Sequence, residues 1–194
     1  MVKRICAILL IVSALLSLSA CMGGGDTKTD EQSTDVAVRI ESYLDKADTY
    51  FNVLDTNAVI PSVKNKEDVL KVYIEKATAK EELPKDLVNS YIESYKAYFG
   101  SEASDTSAED SKLKDEAVSL IKSEMVIYIA ADRFGCNEIS KEDEVKKAKE
   151  LAALYSTSES AFYTEGADNY VVKSAIREER VKAELEAAFD NANK

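Results

Sequence analysis

Apolar residues recur at steps of three and four along most of the chain from residue 35 onward. The first run is Val36, Ile40, Tyr43, Leu44, Ala47, Tyr50, Phe51 and Leu54, which predicts one helix of about 20 residues with a single apolar stripe. Pro61 interrupts the chain, and Asn65 with Asp68 three places on predicts the cap of a second helix running to Ala77. Pro84 suits the first turn of a third helix, where its missing N–H costs nothing. That helix carries Leu87, Val88, Tyr91, Tyr95, Tyr98 and Phe99 and stops at Gly100. Residues 100–109, GSEASDTSAE, are small, polar and acidic and predict an exposed loop.

Ser107 with Asp110 opens a fourth pattern: Leu113, Ala117, Leu120, Ile121, Met125, Tyr128, Ala131 and Phe134, closed by Gly135. At 1.5 Å per residue this helix is about 40 Å long. Ser140 with Asp143 caps a fifth, bearing Val145, Ala148, Leu151, Ala152 and Tyr155. Ser156 and Glu159 have the spacing of a capping box for a short sixth helix with Phe162 and Tyr163, ended by Gly166. Residues 168–190 form the last, with Val171, Ala175, Leu185 and Phe189. Beyond residue 34 the only glycines are Gly100, Gly135 and Gly166, each at a predicted helix end. No window alternates for long enough to be a convincing strand. The expectation is an all-α domain, with helix over roughly 70% of the chain behind its leader, about twice the globular average.

The first 34 residues are different. Lys3 and Arg4 precede the stretch ICAILLIVSALLSL at 5–18, apolar apart from small hydroxyls, followed by Ser19, Ala20 and Cys21. This is the layout of a secretory signal. Leu18-Ser19-Ala20-Cys21 also resembles a bacterial lipobox. That resemblance implies a signal peptide at 1–20, a diacylglyceryl thioether on Cys21, and a lipoprotein on the extracytoplasmic side of the cell membrane. The alternatives are an ordinary signal that happens to end in Cys, or an uncleaved anchor. The apolar run is short for a membrane span, which needs about 20 residues. Two acyl chains hold a protein at a membrane where one does so only marginally. Residues 22–34, MGGGDTKTDEQST, have no core-forming pattern and read as a tether spanning roughly 20 Å. The predicted organisation is thus leader 1–20, lipidated Cys and tether 21–34, and helical domain 35–194.

Composition narrows the chemistry. The 194 residues include 25 Lys and Arg against 36 Asp and Glu, and no His or Trp. Without Lys3 and Arg4, 23 bases face 36 acids, a net charge of −13. Such a surface repels phosphate backbones, so no nucleic-acid partner is expected. Lack of His excludes His-based triads and His-ligated zinc or haem. Of Cys6, Cys21 and Cys136, only Cys136 would remain as an unmodified thiol, so no intramolecular disulfide is expected. Neither nucleotide-binding nor nucleophile-elbow motifs occur. Glu138, Glu142, Asp143 and Glu144 lack the glycine and alternation of a calcium loop and read as a solvated helix face. No enzyme activity, cofactor, metal or small-molecule substrate is expected. Ten Tyr residues fall largely on the helix stripes. They read either as core with phenol tips reaching a partner, or as a ring-lined surface that holds extended polypeptide.

From residue 81 onward the order of features is familiar. Glu82-Leu83-Pro84-Lys85-Asp86-Leu87-Val88, the Tyr-rich helix, the acidic loop and the long helix ending ADRFGCNEIS follow one another. KEDEVKKAKELAALYS and YVVKSAIREERVKAEL complete the series. Over residues 81–190 this resembles the C-terminal, client-binding helical domain of trigger factor, although Ser156 stands where that family usually has Gly. Parvulin foldase lipoproteins and SurA-like periplasmic chaperones are functional analogues. The resemblance implies an elongated multi-helix chaperone-like domain that binds unfolded or exported polypeptides, without the ribosome-binding and isomerase domains. Tyr91, Tyr95, Phe99, Tyr128, Phe162 and Tyr163 are the candidate peptide-binding residues, and Cys21 the lipid attachment site. The alternative function is a structural adaptor docking a single folded envelope partner.

The lipobox spacing gives a direct test. Cys21→Ala is expected to leave the protein without an acyl label when cells are fed a labelled fatty acid, while Cys136→Ala is labelled normally. Equal labelling of the Cys21→Ala protein would remove the anchor.

Overall fold

The computed structural model describes residues 42–99 and 107–194, with side chains described at 42–92 and 111–194. The described residues are 72% helical with very little strand, an all-α domain. The elements are α1 (Ala47–Tyr50), β1 (Phe51–Asn52), α2 (Thr56–Val59), α3 (Val69–Lys76), β2 (Thr78–Ala79), α4 (Lys85–Phe99), α5 (Ser107–Arg133), α6 (Lys141–Tyr155) and α7 (Tyr170–Ala192). Three single 3-10 turns, Ile60–Ser62, Lys66–Asp68 and Glu159–Ala161, fill the connections.

The long helix α5 is the axis. It packs against α7, α4, α1 and α3, and α7 in turn packs against α6 and α3. Toward its C-terminal end, Met125, Val126, Ile127, Ile129, Ala130 and Ala131 are all buried, so this half is apolar around most of its circumference. Ala130, Ala131 and, on α6, Ala148 are completely buried, and their small size lets neighbouring backbones approach closely. Val172, Val181 and Leu185 supply the matching surface of α7.

The helix ends follow local chemistry closely. Gly135 stops α5 in the left-handed conformation at φ +66°, and the Cys136 N–H donates to the Ala131 carbonyl at 2.9 Å. At the start of α6 the Ser140 hydroxyl accepts from the Asp143 N–H while the Asp143 carboxylate accepts from the Ser140 N–H, a complete capping box. Ser156 ends α6 at φ +55°, again left-handed, with the Thr157 N–H reaching the Ala152 carbonyl at 2.9 Å.

Three local expectations are corrected. Within the described part, the single helix expected at 36–54 is broken: a turn at 45–46 separates α1 from a preceding helical stretch, and the chain becomes extended at Phe51. Phe51 pairs with Ala79 and Asn52 with Thr78, antiparallel, and the Lys80 N–H extends the ladder to the Tyr50 carbonyl at 2.8 Å. Phe51 and Val53 are buried while Asn52 and Leu54 are exposed, the alternation of a strand. Secondly, Ser156 does not open a sixth helix. Ser158 precedes a three-residue 3-10 turn, with no side-chain cap. Gly166 lies in the turn Thr164–Ala167 at φ +82° rather than at a helix end. Thirdly, Asn65 precedes a 3-10 turn, Lys66–Asp68, that leads into α3, and its side chain bonds to the Asp68 carboxylate at 3.2 Å rather than to a backbone N–H. Residues 1–41 and the acidic loop, apart from the helical backbone at 107–109, lie outside the described residues.

A non-glycine residue in the left-handed region carries strain that glycine does not. Ser156→Gly is expected to stabilise the domain by about 0.5–1 kcal/mol. Gly135→Ala, at a position with open space but φ +66°, is expected to destabilise it by about 1 kcal/mol. Urea midpoints of the two variants check the pair.

Candidate functional site

The candidate peptide-binding residues fall in several places. Tyr91 is buried, and its hydroxyl donates to the Glu124 carboxylate. Tyr128 is half-buried. Its hydroxyl donates to Asp45 Oδ1 at 2.6 Å, and the Arg177 guanidinium lies over its ring at 5.0 Å from the centroid. Phe162 is buried, its ring 5.9 Å from that of Tyr155, and Tyr163 packs half-buried beside the same core. Tyr95 and Phe99 belong to the helical backbone of α4, and their side chains lie outside the described residues, as does Cys21.

Tyr91 and Phe162 are therefore core residues, which corrects their assignment to a client-facing surface. Their burial has a plain physical cause: each ring removes a large apolar area from water where two helices meet, and the Tyr91 hydroxyl has a carboxylate partner there. Tyr43 behaves similarly, donating to Asp86 Oδ2 at 2.8 Å with its ring 6.3 Å from that of Tyr50. Among the described residues only Leu54 and Leu154 are exposed large hydrophobics.

What the helices bring together is a polar seam. Glu124 on α5 accepts from both Tyr91 of α4 and Tyr170 of α7. Burial raises the Glu124 carboxyl above its ordinary range, while the hydroxyls of Tyr170 and Tyr91 and the charge of Arg177 act against that rise. Both phenols are pushed well above their usual value, by burial first and by the Glu124 charge next. Arg177 Nε donates to Asn137 Oδ1 at 2.7 Å.

A second set of contacts pins the connections at either end of α6. Arg180 of α7 donates to the carbonyls of Glu138 at 2.7 Å and Cys136 at 3.3 Å, and to Asp143 Oδ2 at 2.9 Å. Asn169, left-handed at φ +50°, accepts from the Thr164 N–H at 2.8 Å and donates to buried Glu144 at 2.9 Å. Cys136 is a half-buried thiol whose ionisation is opposed by burial and by Glu184. Among the described residues no three Cys, Asp or Glu side chains are placed to hold a metal ion, and no helix is long and apolar enough to cross a membrane.

Glu124, Glu178, Asn169 and Arg177 were not singled out by sequence reasoning. The signal for the two acids was present. Glu124 falls between Ile121 and Tyr128 on the α5 stripe, and Glu178 continues the series Val171, Ala175 toward Leu185. An acid at a core-facing position is informative in a way that an acid on a solvated face is not. No protein-family model, curated protein or solved structure matches the chain.

Core and surface rings separate in a simple experiment. Phe162→Ala is expected to cost about 3–5 kcal/mol of stability, and Tyr163→Ala distinctly less, since its ring keeps contact with water. Denaturant unfolding of both variants checks the order.

Proposed function

We propose that the protein is a lipid-tethered polypeptide-binding module of the chaperone class, on the extracytoplasmic side of a membrane, holding unfolded or exported chains rather than isomerising them. One observation carries the reading. The segments that resemble the trigger factor client-binding domain are those that fix the helix connections. Gly135 takes the left-handed end of α5, Ser140 and Asp143 form the capping box, and Arg180 clasps the α5–α6 connection. The resemblance thus rests on positions that determine backbone course, not on interchangeable surface residues. Fold-level likeness does not by itself fix function, and the chemistry of holding a client must come from the surface.

That surface is acidic. With a charge of −13 behind the leader, attraction to basic client segments acts over about a Debye length and weakens with salt. A second reading, an adaptor docking one folded partner, is favoured by the scarcity of exposed apolar side chains among the described residues, where Leu54 and Leu154 alone do not make a ring-lined cradle.

The two readings part in one pair of measurements. The protein is expected to slow aggregation of several chemically unfolded clients without ATP, less effectively at high salt. Tyr95→Ala and Phe99→Ala are expected to weaken that effect while leaving the melting temperature unchanged. Crosslinking in the native envelope is expected to capture many chains. No effect on aggregation at several-fold molar excess, with one stoichiometric crosslinked partner, would replace the chaperone reading with the adaptor.

A further inference from the structure

One stretch of the chain is attached to the rest along a single helix. Residues 136–168 leave α5 through Gly135, at φ +66°, and enter α7 through Asn169, at φ +50°, so a left-handed residue stands at each end. Within this stretch α6 packs against α7 and the 3-10 turn Glu159–Ala161, and among the described residues it makes no extended contact with another helix. Its opposite side faces water at Lys149, Glu150, Ala153 and Leu154. The other helices close on one another without it: α5 packs against α7, α4, α1 and α3, and α3 packs against α7.

What holds the stretch down is largely polar. Its buried apolar residues are Ala148, Leu151, Ala152, Ala161 and Phe162, three of them alanine, so it buries little apolar area for its length. The ring of Phe162 rests on Tyr155, within the same stretch. The ties come from α7. Arg177 Nε donates to Asn137 Oδ1 at 2.7 Å. Three residues on, Arg180 reaches the carbonyls of Cys136 and Glu138 and the Asp143 carboxylate, which also completes the capping box of α6. Glu179 meets Lys147 at 2.7 Å, and Asn169, before the first turn of α7, donates to Glu144 at 2.9 Å. Each of these groups gains water when its contact breaks, so each tie is weak by itself.

We propose that residues 136–168 form a strap that lifts from α7 as a unit, turning at Gly135 and Asn169 and kept shut by the Arg180 clasp, while α3, α4 and α5 stay packed. Lifting gives up a few polar contacts and a small apolar area. Unfolding α5 instead exposes Met125, Val126 and Ile129, which are larger and deeply buried. The two events therefore differ in free energy, and the strap opens first. A detached helix of 15 residues is marginal in water, so the amides of α6 lose their protection once it lifts. Opening uncovers Leu151 and the α7 surface beneath α6, apolar area that the shut molecule keeps from water.

Amide hydrogen exchange of the full chain in mild detergent, at urea concentrations below the unfolding transition, tests the strap. In the wild type, the amides of α6 are expected to be at least about tenfold less protected than those of Met125–Ala131, with a shallower urea dependence because less surface opens. Ile121→Val weakens packing that the lifted state keeps. It is expected to lower protection in α5 severalfold and to leave α6 unchanged. Arg180→Gln removes bonds made only in the shut state and is expected to lower the protection of α6 about tenfold. Equal protection and equal urea slopes in α5 and α6 of the wild type would overturn the strap. So would a parallel loss in both helices of Ile121→Val. Unchanged α6 protection in Arg180→Gln would overturn the clasp. No reading involves a client, so the strap stands or falls separately from the proposed function.

Discussion

The C-terminal half of α5 must be covered on nearly every side, and that constraint places the other elements. A helix with one apolar stripe needs one neighbour. A helix buried at six of the seven positions from Met125 to Ala131 needs several. Coverage comes from α7 and α3 and from the short N-terminal elements, while α4 covers the same helix nearer its start. The extended segment at Phe51–Val53 is part of this coverage. Arg133, at the end of α5, donates to the Val53 carbonyl at 2.7 Å, and Phe134 sets its ring 6.4 Å from that of Tyr73. The break in the N-terminal helix is therefore a consequence of covering α5, not a local weakness of that helix.

Close helix packing leaves few ways to admit polar atoms, and the tyrosines supply one. A phenol contributes apolar area along its ring and a hydrogen bond at its tip, so it can span from core to polar group. Tyr91 and Tyr170 reach Glu124 from opposite neighbours, and Tyr128 reaches Asp45. The first two bonds join helices and the third joins α5 to the turn before α1, so these contacts specify relative position as well as contributing stability. Replacing the trio by apolar residues could leave stability unchanged and still lose that specification, because dispersion contacts are less directional than hydrogen bonds.

Features set by neighbouring residues were legible in the sequence. Ser140 with Asp143, the end at Gly135, and the run from Lys85 to Phe99 follow from backbone sterics and from orphan N–H groups within one turn. Features set by distant residues were not. Phe51-Asn52-Val53 alternates over too few positions to outweigh the helical spacing around it, and its partners Thr78 and Ala79 lie more than 20 residues away. Ser156 has the spacing of a capping box with Glu159 but ends α6 instead. Two backbone N–H groups, of Ser156 and Thr157, turn back to close α6 there. Phe162 and Tyr163 were adjacent aromatics with no periodicity to rank them, and only packing separates the buried ring from the half-buried one.

The same separation bears on function. Every described ring on the candidate list has a structural partner, so ring content alone says little about a client-binding face. Rings that stabilise the fold cannot also be withdrawn to grip a client without loosening the helices they join. Over the described residues, a client of the proposed kind would meet charges, hydroxyls and a few exposed apolar groups before it met a ring. Contacts of that kind form quickly, are weakened by salt and release readily, because little apolar area is buried in forming them. Under the proposed reading, a module anchored through Cys21 would gain local concentration from that anchor rather than affinity from its face, since confinement near a membrane raises the chance of each encounter without adding a contact. Weak capture is thus the regime that the proposed chaperone reading requires of an acidic, tyrosine-braced helical domain, one that would hold a chain and still let it go.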